Sequence, residues 1–178
     1  MTESLSHAHL RDALAHFASG VTVVTVSSER GPVGVTASSF TSVSLTPPLV
    51  LVCLARAAQA QRAVVAAESF AVSVLAETQA WIAELFARSN VDRFRGVPLQ
   101  ASQDAALPLV QGALVHLLCR RHATHDGGDH DILIGEVRSA LAGSGEPLLY
   151  YRRRFGGFTA RDDAPSIASP AMGRVREG

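Results

Sequence analysis

Residues 21–26 read Val-Thr-Val-Val-Thr-Val, six β-branched side chains in succession. Such side chains have one strongly preferred χ1 well in a helix and pack well on a pleated surface, so this run predicts a strand. Glu29-Arg30-Gly31-Pro32 then punctuates the chain, and residues 33–40 resume an extended pattern, which together predict a hairpin. Further strands are predicted at 41–45 and 49–54, separated by Pro47-Pro48, and at 70–75, 113–120, 132–141 and 148–151.

Three helices complete the pattern. Ser6 is placed to cap the first, on which Leu10, Leu14 and Phe17 share one face to be packed on another element, with Gly20 closing it. Residues 57–67 are Ala-rich with Gln and Arg, and 79–88 form an amphipathic segment bearing Trp81, Ile82, Leu85 and Phe86. Residues 89–108 read as a polar, irregular loop, and 162–178, rich in small residues and mixed charge, as a mobile tail. About seven strands, few helices and no βαβ alternation favour a mainly β fold, an antiparallel sheet closing into a barrel with peripheral helices. No GxGxxG follows a strand, so a dinucleotide would not be held in the Rossmann manner.

The 178 residues favour one domain, expected over 1–161, burying roughly 70% of the surface of the unfolded chain. With 47% hydrophobic and 18% charged residues and zero formal net charge, neither disorder nor an electrostatic grip on nucleic acid is expected. All 16 basic residues are Arg, which removes the chemistries that need a lysine amine, including Schiff bases and the Walker A loop. Cys53 and Cys119 sit in separate apolar runs and form no CxxC pair, as expected of reduced thiols in the cytoplasm. The polar N-terminus shows no signal-peptide core, and no stretch approaches the ~20 apolar residues of a membrane span.

Two segments stand out chemically. Residues 34–44 hold six hydroxyls, on Thr36, Ser38, Ser39, Thr41, Ser42 and Ser44. Neutral hydroxyls and backbone amides suit the carbonyls and nitrogens of a flat polar ring, although in strands they more often face solvent or bond across a pair. The run from His122 to Asp131 holds three His and three Asp. It reads first as an exposed polar hairpin loop, next as one imidazole, His130, presented at a pocket rim with Asp129 or Asp131 fixing its tautomer, and last as a metal site. Arg93 and Arg152-Arg153-Arg154 offer guanidinium forks for phosphate or lie along a solvated edge. No nucleophile constellation appears.

The run Phe17-x-Ser19-Gly20-Val21-Thr22-Val23-Val24-Thr25, then Gly34-x-Thr36-Ala37-Ser38-Ser39-Phe40-x-Ser42-Val43-Ser44-Leu45-x-Pro47-Pro48, resembles the N-terminal half of the short-chain flavin reductases. Arg93-Phe94-x-Gly96-Val97, Gly128-Asp129-His130 and Arg154-Phe155 follow in the same order, so the resemblance covers about residues 10–158. It implies an FMN-binding split barrel, usually a homodimer, that reduces FMN or FAD with NADH or NADPH and releases it to a partner monooxygenase. By the same resemblance Val35, Thr36, Ala37, Ser38, Ser39, Ser42, Val43 and Ser44 line the isoalloxazine ring, with Arg93 and Phe94 nearby. The loop containing Ala55, Arg56, Gln59 and Gln61 approaches the flavin phosphate. His130, Arg154 and Phe155 fall to the nicotinamide. Relatives commonly carry Ser or Thr where this chain has Ala55 to Gln61, which shifts the expected phosphate contacts to Arg56, Gln59 and backbone amides. Direct hydride transfer between two stacked rings needs position more than acid or base, so no obligate catalytic side chain and no metal are expected. The alternatives are a flavoenzyme with permanently bound FMN acting on its own organic substrate, and a flavin-binding protein without turnover.

Overall fold

The computed structural model describes residues 6–102 and 106–160, so the expected mobile tail, 162–178, lies outside the described residues. In chain order the elements are α1 (His7–Leu14), β1 (Ser19–Gly20), β2 (Thr22–Ser28), β3 (Gly31–Ala37), β4 (Thr41–Leu45), β5 (Pro48–Ala55), α2 (Gln61–Ala66) and β6 (Ser69–Val74). After a 3-10 turn (Glu77–Gln79) come α3 (Ala80–Ala87), β7 (Leu99–Ala101), β8 (Pro108–Val110), β9 (Val115–Gly127), β10 (His130–Ala142), β11 (Leu149–Tyr151) and β12 (Arg154–Gly156).

Seven strands form one antiparallel sheet in the order β3-β2-β6-β9-β10-β5-β4. β3 and β4 are consecutive in sequence yet stand at opposite edges of that sheet, so the short link between them must bring the two edges together. The expected antiparallel barrel is therefore realised. The unbroken apolar character of β2 has its reason here: Val24 and Val26 pack inside with Val52, Phe70, Val72 and Leu133, while Val21 and Val23 pack on the other side with Leu75, Ile82 and Phe86 of α3. A strand buried on both faces has no polar side to alternate. Fully burying an aromatic such as Phe70 contributes roughly 1.5–3 kcal/mol.

Several local expectations are corrected. The first helix ends at Leu14 and buries none of its residues, leaving Phe17 80% exposed, because nothing among the described residues covers that face. The Ala-rich stretch becomes helical only from Gln61, since the Arg56 amide donates to Asp129 O and the Ala58 amide to Ala55 O, turning the chain first. The polar 89–108 segment contains β7, which pairs with β8. The run His122–Asp131 is mostly strand, not loop: β9 reaches Gly127, a two-residue turn follows, and β10 begins at His130. Its outer half lies in solvent, so the apolar alternation that would mark a strand is missing.

Candidate functional site

The hydroxyl-rich corner between β3 and β4 divides its side chains between structure and solvent. The Thr36 hydroxyl donates to Ala83 O of α3 at 2.7 Å, and Ser39 donates to Cys53 O at 2.9 Å while accepting from Cys53 N–H at 3.0 Å. Ser44 accepts from the Thr46 amide. These three tie the corner to α3, to β5 and to the following turn. Ala37 is buried, Val35 is half-buried, and Ser38, Ser42 and Val43 stand exposed. Of the hydroxyls expected at a ring, Ser38 and Ser42 are those with no hydrogen bond among the described residues.

A cleft of about 290 Å³ lies between the start of β3, the chain leading into α2 and the loop after α3, lined by Gly34, Gln59, Ala63, Asp92, Arg93 and Phe94 among others. Gly34 is required there: a Cβ would lie 2.5 Å from Phe86 and 3.2 Å from Phe94, whose rings meet edge to face at 5.0 Å. Arg93 is half-buried and donates through Nε to Arg88 O at 2.8 Å and through Nη1 to Gly34 O at 3.2 Å. No carboxylate pairs with it among the described residues, and Asp92 accepts from the Phe94 amide. The guanidinium is thus fixed by carbonyls with its charge unspent.

Arg56 is differently placed. Its guanidinium pairs with Asp126 at 2.6 Å and Asp131 at 2.8 Å, and the buried Gln61 donates to the second oxygen of Asp131. The two carboxylates push the Arg56 pKa up, and Asp126 is held below the usual carboxylate range, first by the Gly128 amide and then by Arg56. Both side chains expected at phosphate thus bond carboxylates that tie the β9–β10 turn to the end of β5. Ala55 pairs with His130 across β5 and β10, while Gln59 alone of that loop's polar residues faces the Arg93 cleft.

At the turn, His130 Nδ1 lies 2.6 Å from Asp129 Oδ1, and that contact lowers the Asp129 pKa. The carboxylate favours Nδ1 as the donor, and both residues line a cleft of about 440 Å³ shared with α1. Arg154 and Phe155 lie elsewhere, lining an open cleft of about 800 Å³ with Tyr151, Arg152 and Gly157. Phe155 also packs on Tyr150, with ring centroids 5.3 Å apart. In this chain they line a different cleft from His130. Among the described residues no three His, Cys, Asp or Glu side chains converge as a metal would require. Sequence reasoning missed Asp126 and Asp131 as partners of Arg56, and α1 as a wall of the His130 cleft.

Arg93 and Gln59 thus share one cleft, while Ser38 and Ser42 stand exposed at the β3–β4 corner. The antiparallel barrel is the fold of solved flavin reductases. The chain belongs to the flavin reductase like domain family, whose pattern matches residues 14–159. It is 42% identical over 156 residues to the reductase component of 4-nitrophenol 4-monooxygenase/4-nitrocatechol 2-monooxygenase from Rhodococcus opacus, covering 88% of this chain and 83% of that one. It is 41% identical over 149 residues to an FMN reductase (NADH) of Agrobacterium fabrum, covering 84% of each. The solved NADH:FAD oxidoreductase of Streptomyces globisporus, in complex with NAD and FAD fragments, superposes with a TM-score of 0.85 at 40% identity, over 92% of this chain and 99% of that one. The expected fold and the expected class of enzyme, a flavin reductase, agree with these relatives.

Proposed function

We propose that this chain oxidises NADH and passes the hydride to FMN or FAD, delivering the reduced flavin to a separate monooxygenase. The observation that carries this reading is the half-buried, carboxylate-free Arg93 lining a cleft with Gln59, in a chain whose relatives are named as NADH-dependent flavin reductases. Arg93 and Gln59 hold the flavin phosphate, and Ser38, Ser42 and Val43 meet the ring. His130, oriented by Asp129, positions the nicotinamide.

Bound against each other, the two rings exchange a hydride directly, so the protein's work is to stack them, exclude water and hold charge at the phosphates. Arg56 and Gln61 contribute by fixing the turn that carries His130. We assign Arg154 and Phe155 to the barrel's outer hairpin, not to the nicotinamide.

The reductase component of a nitrophenol monooxygenase among the relatives supports a flavin-accepting partner enzyme. Residues 1–161 form one domain in this reading. A homodimer is supported by Leu45 and Phe17, 91% and 80% exposed, which a second copy would cover. A cytoplasmic setting is supported by the free thiols Cys53 and Cys119.

NADH oxidation by the purified protein, with and without added FMN or FAD, tests the proposal. Turnover that needs added flavin is expected. A yellow preparation that turns over an organic substrate with no added flavin would replace this reading with that of a self-contained flavoenzyme.

A further inference from the structure

Helix α1 has an apolar side that no core element covers: Leu10 and Leu14 are 40% and 63% exposed, and none of its residues is buried. The helix is nonetheless held in place. Ser6 caps it through the His9 amide, Asp12 pairs with Arg153 at 2.5 Å, and the Arg152 amide donates to Ala15 O just past its end. These tethers set α1 opposite the β9–β10 turn, where His7, Leu10, Arg11 and Leu14 form one wall of the cleft whose other wall is Asp129 and His130.

Charge within that cleft is unevenly satisfied. Asp12 is taken by Arg153 and Asp129 by His130, while Arg11 has no ion-pair partner among the described residues. An apolar strip, a free guanidinium and an oriented imidazole around one cleft are the groups a phosphorylated, ring-bearing ligand needs. The strip lies under a ring, the guanidinium forks onto phosphate oxygens, and the imidazole bonds an amide or a ribose hydroxyl.

We infer that Arg11 binds a phosphate of the nicotinamide dinucleotide, which makes α1 the outer wall of the reductant site. The inference rests on the placement of the nicotinamide at His130 given above.

The test is calorimetric binding of NAD⁺ together with steady-state kinetics, on Arg11→Gln, Arg11→Lys and His130→Ala. Loss of a charge-assisted phosphate contact should weaken NAD⁺ binding and raise the KM for NADH about tenfold in Arg11→Gln, with kcat within about twofold and FMN affinity unchanged. Arg11→Lys should recover part of the loss. Equal losses with NADH and NADPH place Arg11 at the pyrophosphate, and a larger loss with NADPH places it at the ribose 2′-phosphate. Unchanged NAD⁺ affinity in Arg11→Gln, with His130→Ala weakened, would overturn the role of Arg11 and leave the His130 site standing. Unchanged affinity in both would overturn the site itself.

Discussion

The Ser39 hydroxyl makes two hydrogen bonds to one residue, donating to the carbonyl of Cys53 at 2.9 Å and accepting from its amide at 3.0 Å. A side chain here takes the place of a strand partner and stitches the β3–β4 corner to β5, where the edges of the barrel meet. Ser39→Ala would strip both backbone groups of their partner, and we expect a loss of about 1–3 kcal/mol in urea unfolding. A variant as stable as the parent would show that the seam closes without this residue.

Arg56 separates two accounts of the loop after β5. It is held by Asp126 and Asp131, and in the proposed reading it fixes the turn that bears His130 and leaves the flavin phosphate to Arg93. Arg56→Ala should therefore speed amide hydrogen exchange in residues 127–131 and raise the KM for NADH several-fold, while FMN affinity stays within about twofold. Weaker FMN binding with an unchanged KM for NADH would return Arg56 to the phosphate.

The same lock has a defined pH dependence. The Asp126 pKa is lowered in the folded protein, first by the Gly128 amide and then by Arg56, so its contribution is present above the unfolded value near 3.9 and is lost as pH falls through the lower folded value. Exchange protection of the turn should hold steady through neutral pH and collapse only in strong acid. Loss of protection between pH 6 and 8 would assign control of the turn to another group.

His116 gives a dependence nearer neutrality. It is buried and bonded to Ser73 Oγ at 3.1 Å, and burial lowers its pKa because the charged form loses water. The neutral ring's contribution is complete above the unfolded value near 6.5 and diminishes as pH falls toward the lowered folded one. Unfolding midpoints measured across pH 5–8 should decline on the acid side, and His116→Gln should flatten that decline. An equal slope in both proteins would remove His116 as its source.

Gly34 isolates the packing of the proposed flavin cleft from its charge. A methyl group there meets the rings of Phe86 and Phe94, and the latter lines the cleft with Arg93. Gly34→Ala should lower stability by about 1–3 kcal/mol and weaken FMN binding, whereas Gly20→Ala, with open space around its Cβ, should leave FMN binding intact. Parental FMN affinity in Gly34→Ala would detach this cleft from the flavin.

What the sequence shows of the fold is local. The β-branched run of β2, the turn at Glu29-Arg30 and the amphipathic pattern of α3 each declare themselves within a few residues, and β2 to β6 fall close to where they are expected. Partnerships are not local. Arg56 finds its carboxylates 70 and 75 positions away, and Ser39 finds Cys53 14 away, so neither commitment can be read from neighbours in the chain. The outer part of β9 escapes for another reason: residues 121–127 are nearly all exposed, and extended backbone there leaves no apolar signature. The hydroxyl-rich corner is visible as composition, but which hydroxyls are spent on the barrel and which face solvent is decided only when the sheet closes.

Anaerobic mixing of the purified protein with NADH and FMN, followed through the visible absorption of oxidised flavin, examines the central reading without any partner enzyme. The absorption should bleach at a rate that saturates in both reactants, and Arg93→Gln should require about tenfold more FMN to reach half that rate. A folded protein that leaves the band unbleached with both FMN and FAD would contradict the account.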